Sequence, residues 1–239
     1  MGIAMRVPMR TLAGGLLLLL AAPLAAAPSA APFLWRITVG DTTHHLQGSV
    51  HLLPATAHPL PAAMEAAYAG ARGLVFESDI AALSAPELQK NLLAAARAPA
   101  GLAAELPRPL HARLQRYTAA QGLPEGLCEP FRAWFCALSL EMQAYARAGF
   151  AAELGLDQHY YTRALKDDKD LAWLEEPQAH LDLFMRLPAR LGPELLQQVL
   201  EEAEDVTRSP ERIYQAWRDG DAAVLEEELR LMQRHYPGL

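Results

Sequence analysis

The sequence predicts a helix-rich α/β domain, with a mixed sheet of few strands near the N-terminus and in the middle, surrounded by many helices. Three observations predict it. Short β-rich or apolar runs at 33–39, 44–51, 73–77 and 170–175 are separated by longer helical segments. Proline recurs where a first helical residue would stand, which suits its fixed φ and missing N–H. The chain has 239 residues, 51% of them hydrophobic, enough to bury a large core in one domain.

The first thirty or so residues are expected to be a secretory signal peptide, residues 1–31. Arg6 and Arg10 precede a leucine-rich run, and small residues follow from Ala25 to Ala31. The apolar run is about eleven residues, too short to span a bilayer. No stable membrane span is therefore expected after signal removal; an uncleaved anchor is the alternative. Ala25-Ala26-Ala27 fits the A-x-A cleavage pattern, although Pro28 follows it, and no cysteine marks a lipoprotein. Residues 32–239 then form a single domain.

Phe33 to Val39 is β-rich and stops at Gly40-Asp41, a turn signal, and a second run spans His44 to His51. The two read as an antiparallel hairpin. A helix opened by Pro61 and running through Ala71 leads to Gly73-Leu74-Val75-Phe76-Glu77, a short buried-strand pattern. A helix between two strands suggests a βαβ unit with a parallel pair.

From Pro86 to Ala148 the pattern is helical. Phe131, Trp134, Phe135, Leu138, Met142 and Tyr145 form one apolar stripe, read as core packing. Leu156 to Leu165 is another helix, and Asp170 to Glu175 a third buried strand. Pro177, Pro193 and Pro210 are each read as a first helical residue, Ser209 as an N-cap and Gly220 as a helix end. The last helix runs from Asp221 to about Arg234.

Net charge is −7 with only 21 Lys+Arg and no basic stripe, so nucleic acid is not an expected partner. Cys128 and Cys136 are the only cysteines. On one helix their Cα atoms would be about 12 Å apart, beyond a disulfide's reach. A helix starting at Pro130 would leave Cys128 in a loop able to fold back. Pairing and free thiols both stay open.

Three predicted strands end in an ionisable residue: His51, Glu77 and Glu175. Ligands of open α/β sheets sit outside the carboxyl ends of the strands, so these side chains have one pocket in common reach. Imidazole with carboxylate is both a metal-ligand set and an acid–base set. In a continuous strand His45, Gln47, Ser49 and His51 would share a face, and Gly48 would admit a close neighbour. The competing structural readings are specific. Glu77 or Asp79 would cap the next helix, Glu175 or Glu176 would favour a helix start at Pro177, and His51 would be a hydrogen-bonded strand end. No H-E-x-x-H, cysteine cluster or G-x-S-x-G around Ser49 is present. The remaining histidines, including His58 and His159, read as surface or packing residues.

Leu34-Trp35-Arg36-Ile37, Leu46-Gln47-Gly48-Ser49-Val50-His51, Leu60-Pro61 and Leu74-Val75-Phe76-Glu77-Ser78-Asp79, in that order, resemble the opening of the TraB/GumN family, with Gly48 to His51 as its GxxH motif. Gly155-Leu156-Asp157 resembles the family's GLD, Leu174-Glu175 with Gln178 its LE…Q element, and Ala216-Trp217 with Gly220-Asp221 its W…GD element. The resemblance covers roughly residues 33–222. It implies an exported protein, periplasmic or secreted, related to metal-dependent peptidase-like proteins acting on peptide or protein substrates. It also implies a divalent cation (Mn, Co or Zn) held at His51 and Glu77, with Glu175 a further catalytic candidate. The family pattern continues with an Arg-Asn pair, a strand and a second GxxH. None of His111, His159, His180 and His235 has a glycine three positions before it. The expectation is therefore a domain lacking the family's C-terminal part, with a non-catalytic periplasmic binding or interaction module as the alternative function.

Overall fold

The computed structural model describes residues 33–179, 182, 186, 190–204 and 209–235. The expected signal peptide, His180 and the segment around Pro237 lie outside them. Helices dominate, and the described strands form two-stranded sheets, in agreement with the helix-rich α/β class.

Strands β1 (Leu34–Val39) and β2 (Thr42–Gln47) make the expected antiparallel hairpin, with Trp35 opposite Leu46 and Arg36 opposite His45. The second strand is shorter than predicted: it ends at Gln47, so the run to His51 is not strand. Strand alternation puts Trp35, Ile37, Val39 and Leu46 on one outward face, all exposed. Short strand β3 (Leu53–Pro54) leads through a 3₁₀ turn to helix α1 (Ala62–Gly70), which begins just after Pro61. Its Met64 and Tyr68, one turn apart, enter the core.

Strand β4 (Gly73–Ser78) follows, but the βαβ expectation needs correction. β4 does not pair with the hairpin; its parallel partner is β6 (Asp170–Glu175), almost a hundred residues later. Between them run α2 (Ile80–Leu83), α3 (Pro86–Ala95), α4 (Arg108–Ala120), α5 (Ala133–Arg147), short strand β5 (Phe150–Ala151) and α6 (Leu156–Lys166). β5 pairs antiparallel with β3. The helices of this excursion pack largely on elements that follow β6, so adjacency in sequence misassigns the strand partner. After β6 come α7 (Leu191–Glu204), α8 (Pro210–Asp219) and α9 (Ala222–His235).

Two clusters make the core. One joins α4, α5 and α7 through Leu110, Leu114, Ala137, Leu140, Leu196 and Leu200. The buried residues of α5 are Ala133, Trp134, Cys136, Ala137 and Leu140, so of the predicted aromatic stripe Trp134 is in the core while most of the buried face is made by smaller residues. Small residues let α7 approach closely, while Phe131 and Phe135 stack half-buried on the flank and Met142 is exposed. α5 also starts at Ala133 rather than at Pro130. Cys128, in the preceding turn, folds back to form a disulfide with Cys136 at a Cα separation of 5.4 Å. Pro193 is the third residue of α7, whereas Pro210 opens α8 as expected. Ser209 caps α8 through Arg212 N, and Gly220 ends it in the left-handed region at φ 71°.

The second cluster carries the strand ends: Leu53, Leu60, Met64, Tyr68, Phe150, Leu156, Tyr160, Tyr214 and Trp217. At its margin His58 and His159 lie with ring centroids 4.6 Å apart. His58 Nε2 is 2.8 Å from Leu154 O, which only accepts, so that nitrogen carries the hydrogen. Arg163 Nη1 is 3.3 Å from His159 Nε2; guanidinium only donates, so that nitrogen does not. Burial holds the His159 pKa below its ordinary 6.5, with His58 and Arg163 adding to the effect and Glu65 opposing it. A depressed histidine contributes stability that is complete above 6.5 and is lost as pH falls below it. The wild type is expected to lose denaturant resistance on acidification from neutral to about pH 5. In His159→Phe, which keeps the ring but not the proton, this dependence flattens. Equal slopes in both proteins would refute the assignment.

Candidate functional site

The segment after β2 is held by three hydrogen bonds to its backbone, the first of which carries the hairpin ladder one residue further. Gly48 N donates to Phe33 O at 2.8 Å, and Leu156 N donates to Val50 O at 3.0 Å. Trp217 Nε1 of α8 donates to Gly48 O at 3.1 Å. Beyond Gly48 the chain to His51 leaves the sheet, and the face expected to run from His45 through His51 is broken after Gln47. The neighbour that Gly48 admits is Phe33: an added Cβ would lie 3.0 Å from its Cβ.

Beneath His51 sits the first turn of α6. A Cβ on Gly155 would lie 2.0 Å from His51 O, so only glycine lets the helix start there. The next turn position, Asp157, meets the histidine. His51 Nδ1 is 2.6 Å from Asp157 Oδ2, and Ser49 Oγ donates to the same oxygen at 2.8 Å. His51 Nε2 points to the other carboxylate, 3.9 Å from Glu77 Oε2. The His51 and Glu77 side chains are 69% and 63% exposed, whereas Asp157 is only 23% exposed. The cluster is thus open to solvent on the His51–Glu77 side and closed on the Asp157 side.

The electrostatics are consistent for the pair. The hydrogen bond with Asp157 raises the His51 pKa above 6.5, against burial, with the charges of Asp157 and Glu77 helping. Burial alone would push Asp157 up, but hydrogen bonds from His51 and Ser49 and the backbone hold it below 3.8. This is not a serine nucleophile arrangement, because Asp157 stands between Ser49 and His51 and takes the serine hydrogen itself.

The structure brings the side chains of His51 and Glu77 near one another, although His51 reaches the site from the loop after β2 and not from a strand end. Asp79, not Glu77, caps α2, accepting from Ala81 N at 3.0 Å and Ala82 N at 3.1 Å. That leaves the Glu77 carboxylate available at the cluster. Glu175 ends the neighbouring strand β6, in register with Ser78. Paired residues share a face and adjacent ones alternate, so Glu175 shares the face of Ser78 and Phe76, opposite to that of Glu77. Asp157 is the site residue that sequence reasoning did not assign. Its available cue was Gly155 followed by an acid in the first turn of a helix.

The residues suit a divalent ion by type and reach. Two donors about 2.1 Å from a shared ion are at most about 4.2 Å apart, and His51 Nε2 and Glu77 Oε2 fall inside that limit. No group of three or more His, Cys, Asp or Glu among the described residues is arranged to hold a metal ion. Water or substrate would fill the remaining positions of a site built on these two donors.

A helix-rich α/β domain with a GxxH histidine and a strand-end carboxylate is the class of protein that fold and site define. The TraB/PrgY/gumN family model matches residues 33–239, and the chain belongs to that family. Comparison with curated proteins and with solved structures found no match in either.

Proposed function

We propose that this protein is a metal-dependent, peptidase-like hydrolase of the periplasm or the secreted fraction, with His51 and Glu77 at its centre. The observation that carries the reading is the facing pair itself: an imidazole nitrogen and a carboxylate from separate elements, 3.9 Å apart and open to solvent. A bound Mn, Co or Zn ion would polarise a carbonyl and lower the pKa of its water. His51 and Glu77 hold that position, and Glu77 has a free oxygen to orient a water or accept its proton. Glu175 approaches the same strand ends from the opposite sheet face and stands as a third candidate. The open side leaves room for a peptide or protein substrate. The Cys128–Cys136 disulfide supports an oxidising compartment, as does the signal-like N-terminus.

The test is a thermal melt with Mn²⁺, Co²⁺ or Zn²⁺ added to ion-stripped protein. An upward shift of several degrees is expected in wild type, since a ligand bound only by the native state stabilises it. His51→Ala and Glu77→Ala should abolish it, whereas Glu175→Ala should retain most of it. Absence of any shift in wild type would overturn the reading. The second reading, a non-catalytic periplasmic binding or interaction module, is favoured by the exposed apolar face of the hairpin (Trp35, Ile37, Val39 and Leu46). Hydrolysis of a peptide panel that disappears in His51→Ala would exclude it.

A further inference from the structure

We infer that Asp157 is the positioning residue of this centre: it accepts the Nδ1 hydrogen of His51, fixes that tautomer, and leaves the Nε2 lone pair facing Glu77, while Ser49 holds the carboxylate in place. What this does for an ion rests on the proposed metal reading; the tautomer does not.

Three observations carry the inference. An ionised carboxylate only accepts, so the nitrogen 2.6 Å from Asp157 Oδ2 must carry a hydrogen. In the neutral ring the other nitrogen then has the lone pair, and that nitrogen is the one beside Glu77. Second, with 69% of its side chain exposed, the His51 ring is weakly confined by packing, so its orientation depends on this hydrogen bond. Third, Asp157 is itself well fixed. It lies in the first turn of α6, where the helix end favours negative charge, and Ser49 Oγ binds the same oxygen at 2.8 Å.

The geometry also separates positioning from ligation. An ion on Nε2, about 2.1 Å out, would stand across the imidazole ring from Asp157 and beyond its reach. A carboxylate on the far nitrogen of a ligating histidine fixes the ring and raises its basicity, and losing such a partner costs about 10–100-fold in metal affinity.

The test uses long-range ¹H–¹⁵N NMR of the His51 ring in the full chain, free of metal and in alkaline solution where the ring is neutral. Wild type is expected to show hydrogen on Nδ1. Asp157→Ala should show a mixture shifted toward hydrogen on Nε2, Ser49→Ala a smaller shift, and Asp157→Asn, whose amide oxygen still accepts, a partial rescue. Zinc or cobalt titration should then give about 10–100-fold weaker binding for Asp157→Ala than for wild type. Wild type with hydrogen on Nε2 would overturn the proposal, as would an unchanged tautomer in Asp157→Ala. Should that variant not fold, the isosteric Asp157→Asn takes its place, and identical tautomer and affinity to wild type would count against the inference. Hydrogen on Nδ1 in wild type with no metal uptake would sustain the positioning role and defeat the metal reading instead.

Discussion

Gly155→Ala is expected to destabilise the protein by about 3 kcal/mol or more, at the upper end of overpacking effects, and to displace His51. The added methyl would lie 2.0 Å from His51 O, 2.5 Å from His51 C and 3.1 Å from Ala152 O. All three are backbone atoms, so no side chain can swing aside. Two segments would have to part: the start of α6, and the loop pinned by Leu156 N to Val50 O and by Trp217 Nε1 to Gly48 O. The same movement would pull Asp157 from His51. Urea unfolding should therefore show a lower midpoint, and any remaining folded fraction should lack the metal-induced melting shift proposed for wild type. An unchanged midpoint would show that the two segments are not in the contact described.

Opening the Cys128–Cys136 disulfide is expected to cost about 2.5 kcal/mol, from loop-closure entropy returned to the unfolded chain. The bridge spans a sequence separation of 8, and both cysteines are buried at 5% and 1% exposure. It ties the turn before α5 to the face of α5 that meets α7, next to Ala133 and Ala137. The flanking turn is held independently, by Leu102 N to Glu129 O, Ala98 N to Pro130 O and the His111–Glu129 contact at 2.5 Å. The Cys128→Ser/Cys136→Ser double variant should thus fold, with a lower denaturant midpoint and no change in the His51 tautomer, because the bridge belongs to the other core cluster. A reductant should lower the midpoint of wild type to that of the double variant and leave the variant unchanged. Equal stability with and without reductant in wild type would refute the expectation.

Much of the architecture was readable from local pattern. The hairpin, α1 after Pro61, α6, the strand at 170–175, the Ser209 cap and the Gly220 stop each follow from residues within one or two turns of one another. The failures share one cause: they depend on partners distant in sequence. The second hairpin strand stops at Gln47 because Trp217 and Leu156 take the next backbone groups. β4 pairs with β6 across an excursion whose helices α4 and α5 bury their apolar faces on α7, an element that lies beyond β6 in the chain. On α5 the buried set combines Trp134 with the small residues that face α7 and the disulfide, while Phe135 stays half-buried and Met142 exposed.

By itself the sequence determined the helix-rich α/β class, the order of the longer elements, and the candidacy of His51 and Glu77 in a pattern resembling the TraB/PrgY/gumN family. Only the tertiary structure decided that these two face each other, that Asp79 rather than Glu77 caps the helix, that Glu175 projects from the opposite face, and that Asp157 completes the cluster. The reason is that periodicity and capping act within a few residues, whereas a hydrogen bond between His51 and Asp157 spans 106 positions. Nothing local encodes such a separation; it is set when α6 docks its glycine against the histidine backbone.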